Sequence, residues 1–301
     1  MRCRAWGAIA IVVSLAGAPV AAPAPALGAP VIAAAGDIAC RPGLTPTRTR
    51  CRQARTARLL VGGPRIKAVL ALGDEQYPSG ELPDFRRSYG RTWGRVLRKT
   101  RPVPGNHEYR LPGARGYFRY FGARAGPRGE GWYAYRVGRW HLIALNGNCS
   151  WIGGCGPLAP ETRWLRSNLR QHHRRCTLAY WHQPRFASGG THGDLSIYST
   201  WWRILYAHGV DVVLGGHDHL YERYARQTPG GVRDRRHGIR QFIVGTGGVG
   251  FARPRGRHRN LQSRQHRHFG VLKLTLHPRR YDWRFVTGGH RVMDHGSTRC
   301  H

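Results

Sequence analysis

The sequence predicts an α/β fold that forms a single layered domain, on the basis of three observations. Short apolar runs rich in β-branched residues recur along the chain, each followed by turn signals, as is typical of buried strands. Helical patterns lie between several of these runs, and this alternation is typical of layered α/β proteins. The polar residues that can carry chemistry come directly after apolar runs, where open α/β sheets bind their ligands.

The predicted elements follow one another in order along the chain. Residues 31–35 and 66–72 are expected to form the first two strands, because each is a continuous apolar run. Leu165 and Leu169 lie four residues apart, which places both on one face of a helix. The other predicted strands cover residues 102–103, 141–145, 177–181, 210–214, 242–244 and 271–276, and the helices residues 53–60, 85–97, 161–170 and 198–207.

Two stretches are predicted to be exposed loops. Residues 124–131 and 253–267 are rich in Gly, Arg and His, and neither shows a helical or strand periodicity. No internal repeat or interdomain linker interrupts the chain.

Five short stretches place candidate metal ligands directly after apolar runs. Carboxylate and phenolate oxygens suit hard cations, whereas imidazole suits divalent zinc, iron or manganese. Asp74 has the spacing to bridge two cations, so the set can fill two adjacent metal sites. The stretches are Gly36-Asp37, Gly73-Asp74-Glu75-Gln76-Tyr77, Gly105-Asn106-His107-Glu108, Trp181-His182 and Gly216-His217-Asp218-His219.

In this order the stretches resemble the calcineurin-like metallophosphoesterases, and among them the branch related to the purple acid phosphatases. The resemblance runs from about Val31 to the C-terminus and includes the run Tyr221-Glu222-Arg223 after the last motif. It implies a four-layer αββα sandwich over residues 30–301. Ala39 stands where most calcineurin-like enzymes have a ligand histidine, and Tyr77 supplies the tyrosine that replaces it in the purple branch.

The resemblance implies two metal sites that share Asp74, whose carboxylate would hold the ions roughly 3.5–4 Å apart. One site would take iron(III) and the other a divalent ion, zinc, iron or manganese. The residues that match the iron(III) site are Asp37, Asp74, Tyr77 and His219. The residues that match the divalent site are Asp74, Asn106, His182 and His217.

Two histidines are candidates for proton donation. In the resembled pattern His107 faces the phosphate as a hydrogen-bond donor or general acid. His192 follows His182 on a Gly-rich loop that can reach the same cavity, which makes it a second candidate acid for the leaving group. The alternative is that His192 is an ordinary surface histidine.

The implied activity is hydrolysis of phosphate monoesters on small molecules by a metal-bound hydroxide. A phosphodiesterase or nucleotidase is the alternative within enzymes, because the same centre can serve both reactions. A secreted basic protein that binds polyanions and keeps an idle metal site is the alternative from another class.

The formal net charge is +34, almost all of it from arginine, since Lys67, Lys99 and Lys273 are the only lysines. A positive field of this size attracts phosphorylated substrates. An arginine bias this uniform can also reflect base composition of the coding sequence. The charges are scattered, so we expect no dedicated nucleic-acid site but salt-sensitive adhesion to anionic polymers.

Residues 1–29 are predicted to be a signal peptide and an Ala/Pro-rich leader. A basic start with Arg2 and Arg4 precedes an apolar run that is too short and too broken by Gly and Pro to cross a bilayer. Cleavage between Ala22 and Ala29 would leave a secreted domain with no transmembrane segment.

The leader contains Cys3, and the other cysteines are even in number, which favours disulfides in an exported chain. Cys40 and Cys51 bracket one short loop, and Cys149 and Cys155 bracket another, so local bridges are predicted there. A bridge between Cys176 and Cys300 follows only if both local bridges form.

Overall fold

The computed structural model describes Met1 and residues 28–61, 66–127, 129–172, 176–188, 193–254 and 256–301. Within these ranges the chain forms two mixed β-sheets. The strands are β1 (Val31–Ala35), β2 (Ile66–Ala71), β3 (Thr100–Pro102), β4 (Tyr133–Val137), β5 (Trp140–Ala144), β6 (Thr177–Tyr180), β7 (Val212–Gly215), β8 (Tyr221–Tyr224), β9 (Arg240–Val244), β10 (Leu261–Gln265), β11 (Gly270–Leu276), β12 (Arg280–Thr287) and β13 (Val292–Arg299).

Each sheet combines a run of parallel strands with antiparallel strands. The first sheet has the order β13-β12-β11-β1-β2-β3, in which β1, β2 and β3 are parallel. The second sheet has the order β10-β8-β9-β7-β6-β5-β4, in which β5, β6, β7 and β9 are parallel. The carboxyl ends of parallel strands therefore meet at one edge of each sheet.

Helices cover the outer faces of the two sheets. They are α1 (Gln53–Ala57), α2 (Leu82–Asp84), which continues as a wider turn over Phe85–Tyr89, α3 (Arg115–Phe121), α4 (Pro160–Gln171) and α5 (Ser199–Ala207). Pro160 is the first residue of α4, where a missing backbone N–H costs nothing. Short 3₁₀ segments occur at Trp93–Lys99, Glu108–Arg110, Pro112–Ala114, Gly122–Ala125, Cys149–Trp151 and Ser196–Tyr198.

Two apolar cores separate the layers. The larger core lies between the sheets, where Leu70 of β2 and Leu178 of β6 belong to the same buried cluster. The second core lies between the other face of the second sheet and its helices, since Ile143 of β5 packs with Leu165 of α4 and Trp201 of α5. This arrangement confirms the predicted αββα sandwich.

The predicted strands that carry the candidate ligands are confirmed to within one or two residues, but the prediction of an exposed loop over residues 253–267 is wrong in part. Leu261–Gln265 forms the edge strand β10, which pairs with β8. Its side chains are polar apart from Leu261, so no apolar alternation marked it in the sequence. The predicted helix over residues 85–97 is likewise broken, into Phe85–Tyr89 and Trp93–Lys99.

Three disulfides close the structure, and all three predicted pairs are confirmed: Cys40–Cys51, Cys149–Cys155 and Cys176–Cys300. The last bridge joins positions 124 residues apart and ties the end of the chain to the start of β6. His301 follows it and donates its backbone N–H to Asp211 over 2.9 Å.

Among the helices of the described residues, none has the length and apolarity that a bilayer crossing requires. The predicted signal peptide falls almost wholly on residues 2–27, which lie outside the described residues.

Candidate metal centre

The candidate ligands follow the carboxyl ends of strands in both sheets, at the edge where the sheets face each other. Asp37 follows β1, Asp74 follows β2 and Asn106 follows β3. His182 follows β6 in the second sheet, and the segment with His217 and His219 follows β7. The structure brings all seven predicted ligand residues, which also include Tyr77, into one cluster.

The first group of donor atoms surrounds the hydroxyl of Tyr77. That hydroxyl lies 3.1 Å from Asp37 Oδ1, 2.9 Å from Asp74 Oδ2 and 3.0 Å from His219 Nε2. His219 Nε2 is also 3.3 Å from Asp37 Oδ1. These four residues are the set that the sequence assigned to the iron(III) site.

The second group surrounds Nε2 of His182. This nitrogen lies 3.3 Å from Asp74 Oδ2, 3.2 Å from Asn106 Oδ1 and 3.2 Å from His217 Nδ1. The ring's other nitrogen, Nδ1, lies 2.8 Å from the carbonyl oxygen of Leu72 and donates to it, which leaves the lone pair of Nε2 facing the cluster. Asp74 Oδ2 belongs to both groups.

The spacing of the donor atoms fits bound metal ions. Ligand atoms about 2.0–2.2 Å from one ion lie about 3 Å apart when they are at right angles, and the separations in both groups are close to that value. Asp74, His182 and His217 also offer donor atoms that all lie within 4.8 Å of one another. The mixture of carboxylate, phenol, amide and imidazole donors suits two hard or borderline cations.

The electrostatics of the cluster favour positive charge at its centre. Burial by itself would lower the pKa of His182, but the adjacent charge of Asp74 raises it to about 9. Burial would raise the pKa of Asp74, but His182 holds it well below its usual range. Burial, together with Asp74 and Asp37, raises the pKa of the Tyr77 phenol well above its usual range. A cation is therefore needed to ionise Tyr77 in this environment.

Backbone strain marks three of the ligand positions. Asp37, Asp74 and His217 have φ values of 58°, 50° and 69°, in the left-handed region that non-glycine residues rarely adopt. Such strain persists where surrounding structure over-determines the conformation, and it concentrates at functional sites. Close packing adds to the constraint, since a Cβ at Gly105 would collide with Asp74 Oδ1.

Each ligand carboxylate uses its second oxygen to hold a neighbouring loop. Asp37 Oδ2 accepts the backbone N–H of His217 over 2.8 Å. Asp74 Oδ1 accepts the backbone N–H of His107 over 2.9 Å. The carboxylates are thereby fixed in rotation, with one oxygen directed at the cluster.

Glu108 is a positioning residue whose role was not predicted from the sequence. Its carboxylate is buried and accepts backbone N–H groups from Asp74 over 2.9 Å, Gln76 over 3.1 Å and Gly105 over 2.8 Å. It thus joins the loop after β2 to the loop after β3. The only signal in the sequence was its place directly after Asn106 and His107.

We expect Glu108→Gln to loosen both loops, because the amide keeps one acceptor oxygen and replaces the other by a donor that faces N–H groups. The free energy of unfolding should fall by about 1–3 kcal/mol, and metal affinity by roughly 10–100-fold. Chemical denaturation and metal titration check this. Glu81→Gln, which removes an exposed carboxylate, is the control. Equal effects of the two substitutions would contradict the positioning role.

His107 lies beside the cluster. Its Nδ1 is 2.7 Å from the carbonyl oxygen of Pro78, and its Nε2 is 3.8 Å from Asp74 Oδ2. The ring also packs on Tyr77, with the centroids 4.1 Å apart. His107 is therefore placed to contact a group bound at the cluster. His192 lies outside the described residues, so its predicted role stays a prediction.

The run Tyr221-Glu222-Arg223, which follows the cluster, makes structural contacts. Arg223 forms an ion pair with Asp294 of β13, with Nε 2.7 Å from Oδ2, and Tyr221 donates to the same carboxylate over 2.6 Å. Glu222 accepts hydrogen bonds from Ser188 and Tyr224. These contacts hold β8 behind the segment that carries His217 and His219.

Comparison with known proteins gives consistent similarities. The family model "Calcineurin-like phosphoesterase" matches residues 30–221, a span that contains every candidate ligand. The chain is 28% identical to purple acid phosphatase 15 of Arabidopsis thaliana over 152 residues, which cover 44% of this chain and 28% of that protein. It is 26% identical to human acid phosphatase type 7 over 187 residues, which cover 52% of this chain and 40% of that protein.

The fold is also similar to a solved structure, the purple acid phosphatase PPD1 from yellow lupin seeds. The TM-score is 0.72 at 16% sequence identity, and the match covers 90% of this chain and 54% of the lupin chain. The matched region thus spans well under half the length of the two sequence relatives and about half of the lupin protein.

Proposed function

We propose that this chain, which belongs to the calcineurin-like phosphoesterase family, is a dinuclear phosphatase acting on phosphate monoesters. The chemistry of that family is metal-dependent phosphoester hydrolysis. The observation that carries the proposal is the position of Asp74 Oδ2. It lies 2.9 Å from the Tyr77 hydroxyl in one donor group and 3.3 Å from His182 Nε2 in the other. A carboxylate oxygen common to two donor groups is what a bridged pair of ions requires.

The residues divide into two ligand sets that share Asp74. Asp37, Tyr77 and His219 would complete the site for a trivalent ion, iron(III) in this proposal. Asn106, His182 and His217 would complete the site for a divalent ion, zinc, iron or manganese. When bound, such ions supply a nucleophile from water at neutral pH and neutralise negative charge on the phosphate.

The chain's own residues position the substrate and handle the leaving group. Nδ1–H of His107 donates to the Pro78 carbonyl at 2.7 Å, so Nε2 is the nitrogen left to face a substrate, and it donates a hydrogen bond or proton when the ring is protonated. His192 is proposed as a second donor. The positive charge of the protein favours the dianion of a monoester over the monoanion of a diester.

The substrate class is tested with two chromogenic compounds. We expect p-nitrophenyl phosphate to be hydrolysed with a higher kcat/KM than bis(p-nitrophenyl) phosphate, because the monoester carries the greater charge. Release of p-nitrophenolate measures both reactions. A reversed preference would make the protein a phosphodiesterase, and hydrolysis of neither compound by metal-loaded protein would favour a polyanion-binding protein with an idle site.

Export is the second part of the proposal. The three disulfides support an oxidising compartment. We expect the exported chain to begin after Ala22 and before Val31, as residues 1–29 would be its leader, and to contain no free thiol. Intact mass and thiol titration measure both, and retention of Met1 in exported protein would contradict the proposal.

A further inference from the structure

A cavity of about 780 Å³ is lined in part by residues 249–252, a segment that is hydrogen-bonded to two candidate ligand residues. Its lining includes Arg50, Phe251, Arg253, His266 and Arg267, which come from three separate segments of the chain. The volume lies within the range of roughly 300–1,000 Å³ that is typical of small-molecule sites. We call this cavity the arginine cleft.

The wall of the arginine cleft is attached to the metal centre at both ends. Val249 donates its backbone N–H to the carbonyl oxygen of Asp37 over 3.0 Å, and Ala252 donates to that of His219 over 3.1 Å. Both acceptors belong to candidate ligand residues. A molecule with a phosphate at the metal centre therefore lies next to the cleft.

A second lining segment, Thr49 and Arg50, is held in place by a disulfide. Arg50 precedes Cys51, which is bonded to Cys40 and donates its backbone N–H to Val249 over 3.3 Å. The lining residue Phe251 is fixed as well, since it stacks on the buried Phe269 with the ring centroids 4.0 Å apart. The cleft is thus a built cavity with one aromatic surface.

Three arginines of the cleft have no carboxylate partner in the part of the chain that the structure describes. Among the described residues, no ion pair involves Arg50, Arg253 or Arg267. Burial lowers the pKa of His266, and the positive charges of Arg267, Arg264 and Arg253 lower it further because they repel another positive charge. Guanidinium groups without carboxylate partners are suited to bind phosphate oxygens in a bidentate manner.

We infer that the arginine cleft binds a second phosphate group of the substrate, so that the preferred substrates are small molecules with two or more phosphates. This inference rests on the proposed function, which places the hydrolysed phosphate at the metal centre. The concave shape and the aromatic surface of Phe251 favour a small molecule over an extended polymer.

The test compares fructose 1,6-bisphosphate with fructose 6-phosphate, which differ by one phosphate. We expect kcat/KM to be about 10- to 100-fold higher for the bisphosphate than for the monophosphate, because the cleft arginines would form charged hydrogen bonds with its second phosphate. In the double variant Arg253→Gln/Arg267→Gln we expect this ratio to fall towards one. The control is Arg163→Gln/Arg170→Gln, which removes the same charge from exposed positions of α4 and should leave the ratio unchanged.

A binding measurement on the metal-loaded protein separates this inference from the proposed function. Methylenebisphosphonate and methylphosphonate are not hydrolysed, so calorimetry can measure their binding alone. The affinity for methylenebisphosphonate should be about tenfold or more lower in the variant Arg253→Gln/Arg267→Gln than in the unsubstituted protein, whereas the affinity for methylphosphonate should be the same in both. If no phosphate ester is hydrolysed but this difference is found, the proposed function fails and the cleft stands. Equal losses of affinity in the cleft and control variants would show general adhesion to the basic surface and would overturn the inference. No loss of affinity in either variant would overturn it as well.

Discussion

Asp74→Asn is expected to remove both metal ions together and to lower kcat/KM by about 10³-fold or more, since metal ions contribute several kcal/mol and each 1.36 kcal/mol is a factor of ten. The reason is that Asp74 Oδ2 is the one donor atom common to both groups. Asparagine keeps the size of the side chain and tolerates the left-handed backbone at φ 50°. Its amide, however, offers one neutral oxygen and cannot bridge two cations.

Asp37→Asn is the matched control for this prediction. Asp37 also has a left-handed backbone, at φ 58°, but its Oδ1 contacts only the donor group around Tyr77. We therefore expect Asp37→Asn to retain one divalent ion per chain and Asp74→Asn to retain none. Metal analysis by mass spectrometry, with thermal unfolding as a check of folding, measures the difference. If Asp74→Asn kept two ions per chain with near-normal turnover, the shared-ligand assignment would be wrong.

Tyr77→Phe is expected to abolish a visible absorption band of the iron-loaded protein. A phenolate bound to iron(III) donates charge to the metal, which would colour the protein purple or pink. Tyr77 is placed for this by its hydroxyl, which lies 3.1 Å from Asp37 Oδ1 and 3.0 Å from His219 Nε2. Phenylalanine keeps the ring and its packing on His107 but deletes the oxygen, so the trivalent ion should also bind more weakly.

The measurement is the visible spectrum after loading with iron and oxidation. Tyr117→Phe is the control, because Tyr117 is also fully buried and its hydroxyl has no hydrogen-bond partner among the described residues. We expect Tyr117→Phe to retain the band. A band that persists in Tyr77→Phe, or none in active protein that contains iron(III), would contradict the tyrosine ligand and leave a general metallophosphoesterase.

Much of the fold and the clustering of the candidate ligands could be predicted from the sequence because their signals are local. The apolar runs of β1, β2, β6 and β7 identify buried strands, and each places its polar residues at the following turn. Parallel strands then bring those turns to a common edge. The short cysteine spacings of the first two disulfides are local signals of the same kind.

Other features could not be predicted because they depend on contacts between distant segments. Strand β10 has no apolar alternation, and it forms because the edge of β8 offers unpaired backbone groups. Glu108 has no distinctive neighbours in the sequence, and its role arises from three N–H groups that the loops after β2 and β3 direct at one carboxylate. The arginine cleft likewise combines residues from three segments, which the scattered charges of the sequence did not reveal.

The sequence by itself determined the layered fold and which strands are followed by candidate ligand motifs, since side-chain chemistry and local spacing are properties of the chain. The tertiary structure alone decided which oxygen of Asp74 is common to both donor groups, and which of the many arginines stand beside the metal centre. Both features depend on the order of the strands in the sheets and on the packing of the loops. Backbone hydrogen bonds there fix the directions of side chains, which the spacing of residues in the sequence does not determine.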